Sequence, residues 1–431
     1  MNQNFKIRED YALVTQTKMR MKELTLAVCG VFLVSSLAHA DTGTTSTTKP
    51  YGHQSYADLV DEIAGDEDVG LVESLTGYKY NESSFMQALG VKFGGWTEIG
   101  FAGNTGTSKS SNGNGPVTFN DGPNEFKLHQ VYGYIEREVD TTSKSISFGF
   151  RADLLYGTDA RFTTASNFDT NILNDTNQRK LAFPQAYVNV FLPVGNGLTA
   201  TMGHFYTLIG YEVVPAAGNF FFSHAYTMQY GEPFTHSGGY LTYQLTDNIT
   251  LRGGAVTGWD AHFNQPVNFL GSVAYATDDE RTSLTASLIT GSVETGSPHD
   301  DHNRTMYSIV LEHDITDRLH YVLQHDLGVE SGTSTNSSAE WYGVNQYLFY
   351  DIMHNLAAGL RMEWFRDDDG TRVNSFAENY IGVTGGLNYT PIAGFTIRPE
   401  VRYDRTTENN AFDNFRDNDQ IMLSVSGIFR F

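Results

Sequence analysis

The chain has 431 residues, enough for two or three ordinary domains or for one large barrel, with 28 basic against 50 acidic residues, a formal net charge of −22 and a single cysteine. That balance excludes a nucleic-acid binder, because affinity for phosphate comes from released counterions and needs clustered Lys and Arg. The near absence of thiols excludes a disulfide framework.

The first predicted element is a secretory signal over residues 1–40. Lys18, Arg20 and Lys22 precede an apolar run from Leu24 to Leu37, and Ala38-His39-Ala40 before Asp41 is the small-x-small pattern of a cleavage site. The stretch ahead of Met19 is long for a signal, which makes Met19 or Met21 a candidate start. A lipoprotein reading with Cys29 acylated fits less well: Val28 is a poor residue before that cut, and most of the apolar run would follow it. Cleavage after Ala40 takes Cys29 away and leaves an exported chain without cysteine. Beyond residue 40 no apolar stretch approaches the ~18–20 residues of a spanning helix, which excludes a helical membrane protein.

Residues 41–90 read as a separate periplasmic segment, with nine acidic residues against Lys49 and Lys79. Within it "SYADLVDEIAG" (55–65) places Tyr56, Leu59, Val60 and Ile63 at helical spacing. A solvated helix is the plain reading of so acidic a stretch, and a plug or partner-binding helix the alternative.

From Gly94 onward the apolar pattern has a period of two. Sixteen segments follow it: 94–104, 126–139, 144–157, 182–193, 197–207, 236–246, 248–259, 267–277, 281–292, 304–315, 318–329, 339–351, 355–367, 378–389, 394–405 and 419–431. Their connections alternate in length. Links such as "TD", "DDE" and "IMH" are short, whereas 105–125, 158–181, 208–235, 293–303, 368–377 and 406–418 are long. Short turns at one end and long loops at the other predict an all-β fold over 91–431. It is a transmembrane antiparallel β-barrel of about 16 strands, with periplasmic turns and extracellular loops.

Lipid then assigns the faces, since hydrocarbon cannot hydrate polar groups and the apolar set of each strand must point outward. In "FTIRPEVRYDR" Phe395, Ile397, Pro399, Val401 and Tyr403 point out, and Arg398, Glu400, Arg402 and Asp404 point into the lumen. Arg361 and Glu363, Arg151 and Asp153, and Arg430 are assigned to the lumen by the same alternation. An interior so charged is expected to be wet. Alternating Arg and acid on one strand also suits cross-strand pairing that stiffens the wall. Pro399 predicts a local bulge or irregularity, because it removes a ladder hydrogen bond. His204 falls on the nominal lipid face, which predicts a register slip near Met202. Tyr156, Tyr206, Tyr275, Tyr350, Tyr389, Trp259 and Phe429, near strand ends, fit interfacial girdles.

The stretches "GFRADLLYGTDA" (149–160), "GHFYTLIGYEVVPAAGNFFFSHAYTMQYGEPFTHSGGYLTYQLTDNITLRGGAVTGWD" (203–260), "YVLQHDLG" (321–328), "WYGVNQYLFY" (341–350) and "LRMEWFRDDDG" (360–370) together resemble the putative beta-barrel porin-2, or OmpL-like, family. The resemblance runs from about Gly94 to the C-terminus. It implies an outer-membrane barrel of a Gram-negative bacterium acting as a porin, and it carries no substrate or catalytic residues to transfer.

By analogy with sixteen-stranded porins, the third long loop, 208–235, folds inward and narrows the lumen. Glu212, Asn219, His224, Tyr230 and Glu232 are the candidate constriction residues, and Phe220, Phe221 and Phe222 could anchor the loop to the wall. Carboxylates facing Arg361, Arg398 and Arg402 across water would set up a transverse field; loop charges in bulk water are the plainer alternative. "SPHDDHNR" (297–304) and "RDDDG" (366–370) hold metal-ligand residue types without calcium or zinc spacing, so no metal or cofactor is expected; weak divalent bridging to lipopolysaccharide is the alternative. Neither G-x-S-x-G nor H-E-x-x-H occurs, and no catalytic residues are assigned.

The expected function is therefore passive diffusion of small hydrophilic solutes through a porin. A closed barrel serving as a surface interaction or adhesion protein is the alternative, and an outer-membrane enzyme ranks behind both. Expected partners are outer-membrane lipid, lipopolysaccharide and the barrel assembly machinery, to which Phe429 and Phe431 in the closing "QIMLSVSGIFRF" would serve as the signal. A homotrimer is usual among sixteen-stranded porins, and a single chain carries no legible interface.

Overall fold

The computed structural model describes residues 70–106, 113–173, 178–294, 301–332 and 338–431. The expected signal and the predicted helix over 55–65 lie outside them, as do His299 and Asp300. Ahead of the barrel come two short helices, α1 (Leu71–Thr76) and α2 (Ser84–Leu89). Asn81 exchanges two 3.0 Å hydrogen bonds with the backbone of Phe93, and the Ser74 hydroxyl donates to Ala393 O at 3.0 Å. These bonds fasten the segment to the short-turn end of the barrel.

The first strands are β1 (Lys92–Asn104), β2 (Phe126–Arg137), β3 (Ser147–Gly157), β4 (Lys180–Ala182), β5 (Ala186–Leu192) and β6 (Leu198–Tyr206). Then follow β7 (Thr235–Thr246), β8 (Ile249–Val256), β9 (Asn268–Ala276), β10 (Thr282–Glu294), β11 (Asp301–Thr316) and β12 (Leu319–Ser331). The last are β13 (Ser338–Met353), β14 (Leu356–Asp367), β15 (Glu378–Ile392), β16 (Phe395–Thr406) and β17 (Asp419–Arg430). Both β4 and β5 pair with β3, so they are two arms of one wall strand, interrupted at 183–185. The wall is therefore sixteen antiparallel strands, each on its sequence neighbours. It closes where β17 meets β1, from Trp96 opposite Arg430 to Asn104 opposite Met422. Phe431 extends that seam by donating to Gly95 O at 2.9 Å and accepting from Gly95 N at 3.1 Å. A closed sheet has no edge at which to leave backbone groups unpaired.

Each strand alternates as expected. Val401 is 47% exposed on the outer face, whereas its neighbours on β16, Arg402 and Asp404 among them, are buried inside. The middle of β12 reads half-buried, buried, half-buried throughout.

Three expectations need correction, and the one about Pro399 is met. Pairing of β6 with β5 and β7 runs unbroken past Met202, so no slip occurs; His204 is buried because the rings of Phe168 and His262, from neighbouring loops, pack over it at 5.1 and 5.9 Å. The irregularity expected at Pro399 is present as a gap in the ladder to β15 opposite Leu387 and Asn388, without a bulge, while Pro399 keeps its register with Val425 of β17. Tyr206 and Trp259 do not belong to a girdle. Tyr206 is buried with its hydroxyl 3.3 Å from that of Tyr132, and Trp259 packs edge-on against the buried Trp341. Finally, the charged wall is covered. Arg361, Arg402 and Asp404 have no exposed surface, and what lies on them is protein.

Candidate functional site

The cover is the connection between β6 and β7, residues 207–234, which folds into the barrel. Its neck is closed by Thr207 N donating to Phe234 O at 3.0 Å, and by His236, whose ring bridges Thr207 Oγ1 at 3.0 Å and Gly258 O at 2.8 Å. Asp260 holds the exit, accepting from Phe234 N at 3.0 Å and Thr235 N at 2.8 Å. A segment that leaves the sheet must satisfy its backbone groups elsewhere. Inside the loop a short 3-10 turn (Ala216–Gly218) and one π-helical turn (Thr227–Gly231) satisfy some of them, and the wall satisfies many of the rest.

Three wall arginines take up loop carbonyls. Arg398 donates to Ala216 O, Asn219 O and Phe221 O at 2.9, 2.7 and 3.2 Å, and is paired with Glu98 of β1. Arg361 donates to Ser223 O at 2.6 Å and Ser223 Oγ at 3.1 Å, and binds the Glu212 carboxylate at 2.7 Å. Arg402 donates to His224 O, places its guanidinium 4.9 Å from the Tyr226 ring, and is neutralised by Asp404 at 2.8 Å. Arginine suits this work because one planar fork carries five donors and stays charged when buried. Wall acids complete the lattice from the other sign: Glu400 accepts from Phe222 N and Ser223 N at 2.9 and 3.2 Å, and Glu363 from Tyr226 N at 2.5 Å.

The loop residues singled out from sequence divide by role. Glu212 meets Arg361 directly, along with His224 at 3.2 Å, Ala225 N at 2.8 Å and the Tyr347 hydroxyl at 3.0 Å. The expected field across open water therefore does not arise from this pair, which is in contact. Asn219 ties the loop to itself, accepting from Val213 N at 2.9 Å and donating to Val213 O at 2.6 Å. Tyr230 bonds Pro116 O of the first long loop through its hydroxyl and accepts from Arg372 at 2.7 Å through its carbonyl. Glu232 accepts from Gln324 at 2.6 Å and lies against Asp326 of β12. Of the remaining wall residues named from sequence, Arg151 bridges Glu136 at 3.0 Å and Asp153 at 2.8 Å, away from the loop, and Arg430 donates to Ala217 O at 3.0 Å. Asp367 of "RDDDG" accepts from Thr371 N, Arg372 N and Val373 N, each at 2.9 Å, and so shapes its own loop. Among the described residues no three His, Cys, Asp or Glu side chains converge where a metal ion could sit.

Sequence reasoning missed several anchors. Gln130 of β2 holds Val214 O at 2.8 Å and Ala216 N at 3.0 Å, and the Trp341 indole donates to Gly231 O at 3.0 Å. More telling are inward-facing glycines. A Cβ on Gly359 would strike the ring of Phe220 and one on Gly100 the ring of Phe222, while one on Gly386 would crowd Pro399 O and touch Phe221. Glycine in a strand interior marks a close approach, and that was the available signal.

The two loop carboxylates respond oppositely to burial. Burial alone would raise the Glu212 pKa, but the Arg361 guanidinium and the bonds from His224 and Ala225 N outweigh it and hold the carboxyl at about 2. Burial, reinforced by the Asp326 carboxylate, pushes the Glu232 carboxyl well above the usual carboxylate range and favours its neutral form. Glu232→Gln, which imitates that neutral form, should leave thermal stability and conductance near those of the parent. Glu212→Gln strands Arg361 without its loop partner and should cost about 3–5 kcal/mol of docking. Because the Glu212 pKa is depressed, its stabilisation is complete above the unfolded value near ~4.3 and is lost as pH falls toward 2. Conductance recorded from pH ~5 down to pH ~3 should change as Glu212 protonates, and no change there would count against this assignment; a change between pH ~7 and ~5 belongs to Asp260 at the loop exit, whose carboxyl is pushed up to about 6 by burial.

A closed sixteen-stranded barrel with a long loop folded onto a charged inner wall defines an outer-membrane porin. Residues 90–431 match the family described as "Putative beta-barrel porin-2, OmpL-like", and the chain belongs to it. No curated protein matches it in sequence. Among solved structures it is similar in fold to the outer membrane channel DcaP of Acinetobacter baumannii, with a TM-score of 0.53 and 14% identity over 79% of this chain and 97% of that one. The anion-selective porin from Comamonas acidovorans gives a TM-score of 0.53 at 9% identity over 79% and 99%. OmpT of Vibrio cholerae, in its trimer form, gives 0.51 at 9% over 79% and 99%.

Proposed function

We propose that this outer-membrane channel passes small hydrophilic solutes by passive diffusion and that loop 207–234 sets its narrowest section. The observation that carries this reading is the seating of the loop on Arg361, Arg398 and Arg402 inside a closed wall. A loop so bonded has a fixed position, and a fixed constriction sorts solutes by size and polarity. Planar-bilayer recording of the purified chain should show stable conductance steps, and removing the loop between Thr207 and Phe234 should enlarge them. Unchanged steps, or none, would favour a closed scaffold that acts at the cell surface. The channel reading agrees with the absence of the catalytic sequence motifs named above.

In this reading residues 1–40 are cleaved on export, residues 41–90 remain periplasmic, and lipopolysaccharide surrounds the long loops. The chain assembles as a homotrimer, a state in which the similar OmpT of Vibrio cholerae is found. Phe429 and Phe431 serve recognition by the assembly machinery. Phe431 also lies 6.2 Å from the ring of Phe93 at the seam. Deleting Phe431 should sharply lower the amount of heat-modifiable barrel in outer membranes, whereas Arg430→Ala should leave that amount unchanged.

A further inference from the structure

The outer wall carries a polar patch where lipid chains should be. His325 lies mid-strand on β12, between the inward and buried Gln324 and Asp326, so its ring points outward. Across the ladder it sits beside Ile309 of β11 and Val344 of β13. Gln346, in the middle of β13, lies opposite Leu323 and Met362 and also faces out. Tyr307 stacks on the His325 ring at 5.6 Å, and the Tyr321 hydroxyl donates to Gln346 Oε1 at 2.9 Å. Among the described residues no hydrogen bond reaches either ring nitrogen of His325 or the Nε2 of Gln346.

Elsewhere the outward sets are apolar at this depth: Leu360, Met362 and Trp364 on β14, Ile397, Pro399 and Val401 on β16, and Leu423 and Val425 on β17. An imidazole whose nitrogens make no hydrogen bond and an amide whose nitrogen makes none are costly in hydrocarbon, where no water can substitute. Their chemistry is also complementary, since the Gln346 amide can donate to an imidazole nitrogen and the imidazole N–H can bond an amide oxygen.

We propose that the outward face of β11–β13 is covered by a second copy of this chain. A neighbour that meets a mid-membrane surface must itself lie in the membrane, and copies related by an axis along the membrane normal present this patch at the same depth in every copy, with His325 and Gln346 two residues apart along the ladder. Ile309, Leu348 and Tyr350, which are 40%, 37% and 42% exposed, supply apolar surface around the polar pair. The proposal rests on the outer-membrane reading and deepens the homotrimer by naming a face. Bilayer conductance tests the channel separately, so the two can fail independently.

The test is cross-linking in intact outer membranes with a short bismaleimide, using Val344→Cys in a chain lacking Cys29, with Val401→Cys on β16 as the comparison. Linked copies of this chain at Val344→Cys and single chains at Val401→Cys are expected. Linkage at Val401→Cys alone places self-association on another wall and overturns the proposal, as does linkage of Val344→Cys to a different protein or no linkage at either. The paired substitution His325→Leu with Gln346→Leu reads the same question by sign. It should lower the temperature at which the oligomer dissociates on a semi-native gel by several degrees, with the single barrel still heat-modifiable. A rise or no shift means the face meets lipid, and the proposal fails.

Discussion

Arg361→Ala should raise single-channel conductance toward that of the chain without its loop, add rapid flicker, and lower the melting temperature. Arg361 contributes to docking in three ways, neutralising Glu212 and binding Ser223 twice, while a bond to Thr384 Oγ1 of β15 at 3.0 Å fixes its guanidinium on the wall. Its loss leaves the Glu212 carboxylate buried with only His224, Ala225 N and Tyr347 around it. Removing one member of a buried ion pair costs about 3–5 kcal/mol, chiefly because the other member is stranded. A loop docked by a similar margin would then spend a visible share of time undocked. Arg361→Lys is the informative companion. It keeps the charge but not the fork, so it should retain the Glu212 contact, lose the Ser223 contacts and give an intermediate conductance. Equal conductance in the parent and Arg361→Ala would show that the loop is held by its other contacts.

The barrel was legible in the sequence because lipid enforces a strict alternation, and alternation over sixteen segments leaves few other folds. Strand ends agree to within a few residues, as where the segment 267–277 becomes β9 from Asn268 to Ala276. What alternation cannot tell is what covers a face. Arg398, Glu400, Arg402 and Asp404 have the inward placement the period predicts, but only the path of a distant loop decides that they meet carbonyls instead of water. The same limit explains Tyr206 and Trp259. Both lie near strand ends, where a girdle is the rule, and both are drawn inward by neighbours that are remote in sequence. The ladder has irregularities as well: the β1–β2 register shifts between Glu98 and Ile99, and β4 separates from β5. A period of two read along one strand does not locate such shifts.

Gly359→Val should release the loop without touching any charge. The inner wall offers the three consecutive phenylalanines three seats lined by glycine: Gly359 under Phe220, Gly386 under Phe221 and Gly100 under Phe222. Phe220 is further enclosed by Phe221 at 4.9 Å and Phe349 at 4.8 Å, and Phe222 by the edge of His129 at 4.8 Å. A valine at 359 places its branched carbon where the Phe220 ring lies, and valine suits a strand, so the wall itself should fold. The ring must then leave its seat, giving up burial worth roughly 1.5–3 kcal/mol. Phe220, Phe221 and Phe222 occupy the middle of the loop, beside the carbonyls held by Arg398, so displacing one ring also strains those bonds. Conductance should rise as in Arg361→Ala, but here with every ionisable group of the parent, Glu212 and Arg361 included, still in the chain. Adding Phe220→Ala to Gly359→Val gives the ring's space to the valine and should restore part of the parent conductance. A double variant no closer to the parent than Gly359→Val alone would show that the glycine seats do not position the loop.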